Sequence, residues 1–238
     1  MMRRLSLCLG ATVLFASFVA PPQASAQQAI SVYLGGFVPK GMDSRGGDDV
    51  IFRNGDFLSN RDGRPLNPRD LSGVTVGAEY LVGLGDFLDA GLGIGFYQGS
   101  TPAVYTDLMN ANGTDIEQDL KLRIVPVTAT IRFLPLGHHD AITPYFGAGV
   151  GIYNWRYTET GQFVDGSGNI FRDTFEGKDT TVGPVILGGV RVPIGNGGIG
   201  GEIRYQGGSG NLPASESFAG SKINLGGFNY LVTFTVGF

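Results

Sequence analysis

Along most of this chain apolar side chains alternate with polar ones or with glycine. The clearest run is the last: Tyr230, Val232, Phe234, Val236 and Phe238 share one face, with Leu231, Thr233, Thr235 and Gly237 on the other. A period of two marks a strand with one apolar face. The same period predicts earlier strands at 29–38 (Ile30, Val32, Leu34, Val38), 72–82 (Val74, Val76, Ala78, Tyr80, Val82) and 87–98 (Leu88, Ala90, Leu92, Ile94, Phe96). Over 117–133 the phase changes: Leu120, Leu122 and Ile124 lead, then Val125, Val127, Ala129, Ile131 and Phe133 take over, a slip beside Pro126 that predicts a bulge. Residues 143–157 set Phe146, Ala148, Val150 and Ile152 against Tyr145 and glycines, and end in Tyr153, Trp155 and Tyr157. Strands at 179–192, 198–206 and 223–238 complete the set.

The segments between them alternate in length. Long polar connections at 40–71, 99–116, 158–178 and 207–222 are separated by short ones at 83–86, 134–142 and 193–197. A terminal half-apolar strand leaves an unpaired edge, and closing the sheet on itself removes it. The face opposite the aliphatic one carries Gly, Thr, Glu, Asp and Arg, which suits a polar interior rather than an apolar calyx. Most of the strands reach the roughly 9–11 residues of a tilted membrane strand. The expectation is an all-β fold, an eight-stranded antiparallel up-and-down transmembrane β-barrel with four long connections at one end and short turns at the other.

Composition sharpens this picture at three points. The 40 glycines fall largely inside the alternations, as in Gly91, Gly93, Gly95 and Gly147, Gly149, Gly151, where they make room for side chains from the opposite wall. Arg3 and Arg4 precede an apolar run over 5–20, then Pro21, Pro22 and the series Ala24, Ser25, Ala26. That order predicts a secretory signal peptide over 1–26, cleaved after Ala26, with 27–238 as the barrel domain. Cys8, the single cysteine, lies inside the signal and lacks a lipoprotein box, so neither lipidation nor a disulfide is expected. Seventeen basic residues face 21 acidic ones, a net charge of −4, and losing Arg3 and Arg4 makes it more negative. Nucleic acid is therefore not an expected partner. No apolar window of about 18 residues follows the signal, so any membrane crossing must be made by strands.

The run Pro144-Tyr145-Phe146-Gly147-Ala148-Gly149-Val150-Gly151, the run Gly201-Glu202-Ile203-Arg204-Tyr205 and the terminal Phe238 resemble the small eight-stranded outer-membrane barrels of Gram-negative bacteria, the OmpA-transmembrane, OmpX and OmpW type. The resemblance covers essentially the whole chain after the signal. It implies Sec export to the bacterial outer membrane, periplasmic short turns, and long loops outside. It also implies that Tyr230, Val232, Phe234, Val236 and Phe238 form the signal read by the barrel assembly machinery. Outer-membrane lipid and lipopolysaccharide are the expected surroundings of a monomeric barrel with no appended peptidoglycan-binding domain and no cofactor.

Glu79, Asp89, Arg132, Arg191, Glu202 and Arg204 all fall on the inward face near the short-turn end. Three acids and three arginines balance, as buried charge requires. They are read as a salt-bridged plug in a barrel just wide enough to be filled by its side chains, the alternative being an ion or proton path. Tyr80, Phe87, Phe133 and Tyr205 near strand ends read as an aromatic girdle. Tyr153, Trp155 and Tyr157 read as interfacial anchors, or alternatively as the mouth of an apolar pocket. Catalysis has thin support: His138 and His139 stand before Asp140 in a short turn without a nearby serine, and adjacent side chains diverge too far for a zinc site. They read as a solvated turn. The arginines and aspartates of the first loop (Arg45, Arg53, Arg61, Arg64, Arg69; Asp43, Asp48, Asp49, Asp56, Asp62) read as solvated mixed charge, with lipopolysaccharide phosphate or calcium contact as alternatives. The functional expectation is a non-enzymatic integral outer-membrane protein with a structural, envelope role and interacting loops. An OmpW-like conduit for small hydrophobic solutes is the alternative, and a lipid-modifying enzyme is the third choice.

Overall fold

The computed structural model describes residues 28–138 and 141–238; the expected signal peptide, His139 and Asp140 lie outside them. Eight antiparallel strands close into a ring: β1 Gln28–Pro39, β2 Gly73–Gly83, β3 Leu88–Met109, β4 Asp115–Phe133, β5 Thr143–Val164, β6 Ile170–Ile194, β7 Gly197–Gln206 and β8 Gly227–Gly237. Each strand pairs with its neighbours in sequence, and β8 closes the ring on β1 from Ala29↔Gly237 to Pro39↔Gly227. The edge that the terminal strand would expose is thus consumed by the first one.

The wall is lopsided. β1, β2, β7 and β8 are 10–12 residues long, whereas β3 to β6 run to 19–25 residues. The connections at 99–116 and 158–178, expected as irregular segments, are strand almost to their tips. Their turns occupy only 110–114 and 165–169, closed by Asn110 N–H to Thr114 O at 2.9 Å and Asp165 N–H to Asn169 O at 3.0 Å. In each, the fourth residue is a glycine at positive φ, Gly113 at 79° and Gly168 at 83°. A non-glycine residue is disfavoured there, so the Asx-x-x-Gly spacing is the sequence signal for these hairpins.

No bulge occurs at Pro126. β4 and β5 stay in one register from Gln118↔Gly161 to Phe133↔Phe146, and Ile94↔Val127 and Tyr97↔Ile124 share one register on the other side. Leu120, Leu122 and Ile124 point inward, and so do Thr128, Thr130 and Arg132. The apparent slip is a change in what the interior is made of. Toward the short turns the wall is apolar outside and polar inside. Toward the long connections, Lys121 and Arg123 face out while Leu122, Ile124, Trp155 and Tyr157 face in.

The two irregular long loops cover that inward apolar surface. The first contains a short helix α1 (Val50–Asn54), a two-residue strand Leu58–Ser59 on β3 and a 3-10 turn Pro68–Leu71. The last pairs Ser209–Asn211 with Lys222–Asn224. Val50, Ile51, Leu58, Leu66 and Leu71 from the first, with Leu212, Ile223 and Leu225 from the last, form one core with Tyr97, Leu120, Leu122, Ile124, Trp155 and Tyr157 of the wall.

Candidate functional site

The lumen is filled at three levels, each set by the inward positions of particular strands. In the half toward the short turns, Glu79 (β2), Arg132 (β4), Glu202 and Arg204 (β7) meet across the barrel. Arg204 Nη2 lies 3.0 Å from Glu79 Oε2 and 2.7 Å from Glu202 Oε1, and Arg132 Nη2 lies 3.1 Å from Glu202 Oε2 and against Glu79. Thr130 donates its hydroxyl to Glu79 at 2.9 Å and Tyr145 donates to Glu202 at 3.0 Å. The Arg132 guanidinium sits 4.8 Å from the Tyr145 ring centre, and that of Arg204 5.1 Å from Tyr33. Two acids and two arginines balance inside a buried site, and each carboxylate also has a hydroxyl donor. The narrow wall leaves room for them: a Cβ at Gly91 would run into the Glu79 carboxylate.

The other two residues of the expected six stand apart from this quartet. Asp89 Oδ1 lies 3.1 Å from His138 Nε2, and Arg191 joins them around the open mouth at the short-turn end, a space of about 410 Å³. His138, expected in a solvated turn, is instead turned inward over Asp89.

Midway, Tyr33, Thr75, Pro126, Thr128, Tyr153, Val185 and Leu231 close in so that only about 10 Å³ is left between them. That is at the limit of what one water needs. From this level upward Tyr153, Trp155 and Tyr157 are at most 1 % exposed. They face the interior under the two loops, so they do not serve as lipid-interface anchors. The strand parity that points Tyr145 inward also points them inward. Trp155 touches the last loop so closely that a Cβ at Gly210 would strike the indole.

The first loop is a folded cap rather than solvated mixed charge. Asp49 accepts from Ile51 N and Phe52 N at the start of α1, at 3.0 and 3.1 Å, and from Asn224 N in the last loop at 2.6 Å. Arg45 Nη1 pairs with it at 2.9 Å, with both side chains buried. Arg61 and Arg64 do stay on the surface.

At the outer rim the cap and the tall wall enclose an open pocket of about 620 Å³ lined by Phe57, Tyr105, Leu108, Phe163, Phe171 and Phe175. Glu159 forms part of its lining; its Oε1 accepts from Asn54 Nδ2 at 2.6 Å and Tyr157 OH at 2.8 Å. Burial raises the Glu159 carboxyl above its ordinary value against the lowering effect of those two bonds. The unfolded chain therefore loses this proton at lower pH than the folded cap does. Cap stability is highest below the ordinary carboxylate pKa of about 4.3 and falls as pH rises through the interval up to the raised value. Proteolysis of the first loop should accordingly quicken as pH rises over that interval, and Glu159→Gln should flatten the profile. A wild-type profile without slope would count against a raised value.

Outside, the picture reverses. Ile30, Val32 and Leu34 of β1, Val74 and Val76 of β2, Leu92, Ile94 and Phe96 of β3, Ile131 of β4, Val150 and Ile152 of β5, Val182 and Ile186 of β6, Ile203 of β7 and Val232 and Phe234 of β8 are all exposed. Every strand contributes to this apolar belt, far beyond the patch size a water-soluble monomer tolerates. Aromatic side chains border it, with Tyr80, Phe87, Phe133 and Phe238 at one rim and Phe96, Tyr205 and Phe228 at the other. Closure pairs every strand with a neighbour on each side along the belt, as hydrocarbon demands.

The protein is a membrane-spanning β-barrel. No protein-family model matches the chain, and no curated protein matches it. Solved structures to which it is similar include small outer-membrane β-barrel proteins. Neisserial surface protein A has 13 % identity and a TM-score of 0.47, over 89 % of this chain and 97 % of that one. The N-terminal β-barrel domain of Pseudomonas aeruginosa OprF has 9 % identity and a TM-score of 0.42, over 89 % and 97 %. The outer membrane protein AlkL has 15 % identity and a TM-score of 0.41, over 92 % and 95 %. These are likenesses of fold.

Proposed function

We propose that this is a non-enzymatic integral protein of the bacterial outer membrane, a closed barrel with a structural role in the envelope that carries a fixed binding head outside. The observation that carries this reading is the Glu79–Arg132–Glu202–Arg204 quartet, which spans the lumen from β2 and β4 to β7. Above it the packed middle, with about 10 Å³ left, and the loop cap support a closed lumen. The cap, held by Asp49 and the apolar cluster, offers outside groups a folded surface, the usual place for recognition on such a scaffold. Refolded into planar bilayers, the chain from residue 27 onward should give closed traces over a wide voltage range. Discrete, stepwise openings of the wild-type protein would overturn the closed-barrel reading.

A second reading, a conduit for small hydrophobic solutes, draws on the aromatic pocket beside Phe163 and Phe175. It needs the buried Trp155 and Tyr157, which lie inside the wall beneath the loops, to move. Entry of a small apolar dye into proteoliposomes above the protein-free rate would put this reading ahead of the first.

A further inference from the structure

Immediately outside the apolar belt, on the tall side of the barrel, one row of outward positions crosses four strands. Gln98 pairs with Arg123, Arg123 with Arg156, and Arg156 with Lys178. Strands lie about 4.8 Å apart, so the three cations stand within about 10 Å along one rung. Two residues nearer the membrane come Val125, Asn154 and Thr180, and two further Ile94, Val127, Ile152 and Val182, all facing out. The same face therefore offers positive charge directly above a hydrocarbon-facing surface.

The row is short of acids. Glu176 lies 3.4 Å from Arg156 Nη1 and 2.9 Å from Lys178 Nζ, while neither Arg123 nor Lys121, one outward position further up, makes an ion pair among the described residues. Arg156 Nε is buried with no partner. Across the barrel the outward positions near the loop ends of the short strands are Val38, Val74, Tyr205 and Phe228, with Lys40 over the Tyr205 ring. Positive charge is thus concentrated on the tall side, three cations in one row against Lys40 opposite, on a chain whose net charge is −4.

We propose that Arg123, Arg156 and Lys178 form a docking site for the phosphate groups of an anionic lipid headgroup in the outer leaflet, whose acyl chains lie along Val127, Ile152 and Val182. Guanidinium groups bind phosphate oxygens through paired N–H donors, and the ammonium of Lys178 adds a point charge. The exposed apolar surface of Val127, Ile152 and Val182 beside the row favours a lipid over a soluble phosphate. The inference rests on the membrane reading proposed above.

The test uses the refolded chain from residue 27 in phosphatidylcholine nanodiscs containing either lipid A or lipid A stripped of its phosphates, with retained lipid counted by native mass spectrometry. Wild type should retain lipid A, and the stripped form at least about tenfold less. The triple variant Arg123→Gln, Arg156→Gln, Lys178→Gln should lose the preference, whereas Arg53→Gln, Arg61→Gln, Arg64→Gln, with equal charge removed from the exposed first loop, should keep it. Equal retention of the two lipids by wild type, or an unchanged preference in the row variant, would overturn the site. Displacement of lipid A by millimolar inorganic phosphate would overturn its assignment to a lipid. Insertion into nanodiscs without lipid A is scored first, so that failure of the membrane reading is seen separately.

Discussion

Glu79→Gln should lower the stability of the folded barrel by about 3–5 kcal/mol, the loss expected when one partner of a buried ion pair is removed. Glu79 contacts both Arg132 and Arg204 and takes the Thr130 hydroxyl, so its neutralisation leaves two guanidinium groups sharing Glu202 alone. The amide keeps the volume, and what is lost is the charge. Removing Arg132 together with it, as Glu79→Leu with Arg132→Met, restores the balance between Glu202 and Arg204 and should recover most of the stability. The measurement is the urea midpoint of reversible folding into lipid vesicles, read by the change in gel mobility between folded and unfolded forms. An unchanged midpoint for the single variant would remove the quartet as a stabilising feature. A double variant as weak as the single one would show that the cost lies in packing rather than in charge.

Asp49→Ala should open the cap while leaving the barrel in place. One carboxylate holds the start of α1, the buried Arg45 and the Asn224 amide of the last loop, so its removal strands a buried guanidinium and frees two loops from each other. The lost counter-charge and the lost helix cap together amount to about 4 kcal/mol, within reach of the whole stability of a small packed unit. Trp155 reports the event, because it is the chain's single tryptophan and is buried beneath the cap. Its emission should shift to the red and become open to acrylamide quenching, and trypsin should cut at Arg45 and Arg53. The strand content by circular dichroism should hold. Wild-type emission and trypsin resistance in the variant would mean that the apolar cluster alone keeps the cap closed. Arg45→Met with Asp49→Leu should fall between the two, since no charge is then left buried.

Periodicity in the sequence determined the number of strands, their order, their antiparallel ring and the outward direction of the aliphatic belt. Each is a local property: side chains alternate along a strand, and hydrocarbon on one side with a narrow lumen on the other selects which residues can face each way. Glu79, Arg132, Glu202 and Arg204 were legible as inward charges for the same reason. Which of the six charged residues meet was decided only by the closed ring, since stagger between strands brings β2, β4 and β7 to one height and leaves Asp89 and Arg191 at the mouth with His138. The turns at 110–114 and 165–169 were written in the chain as Asx-x-x-Gly, but their polar outward residues matched loop composition as well as strand. The largest difference lies at Pro126. Read as a slip, it is a point where one unbroken strand leaves the membrane and its apolar face turns from lipid to a core made by residues 40–72 and 207–226. Period-two analysis reports which side of a strand is apolar, and only the tertiary structure shows what that side touches. Loops with no period of their own supplied the other half of that core, and Asp49, Arg45 and Asn224 came together across about 175 residues of chain because the barrel brings its two ends side by side.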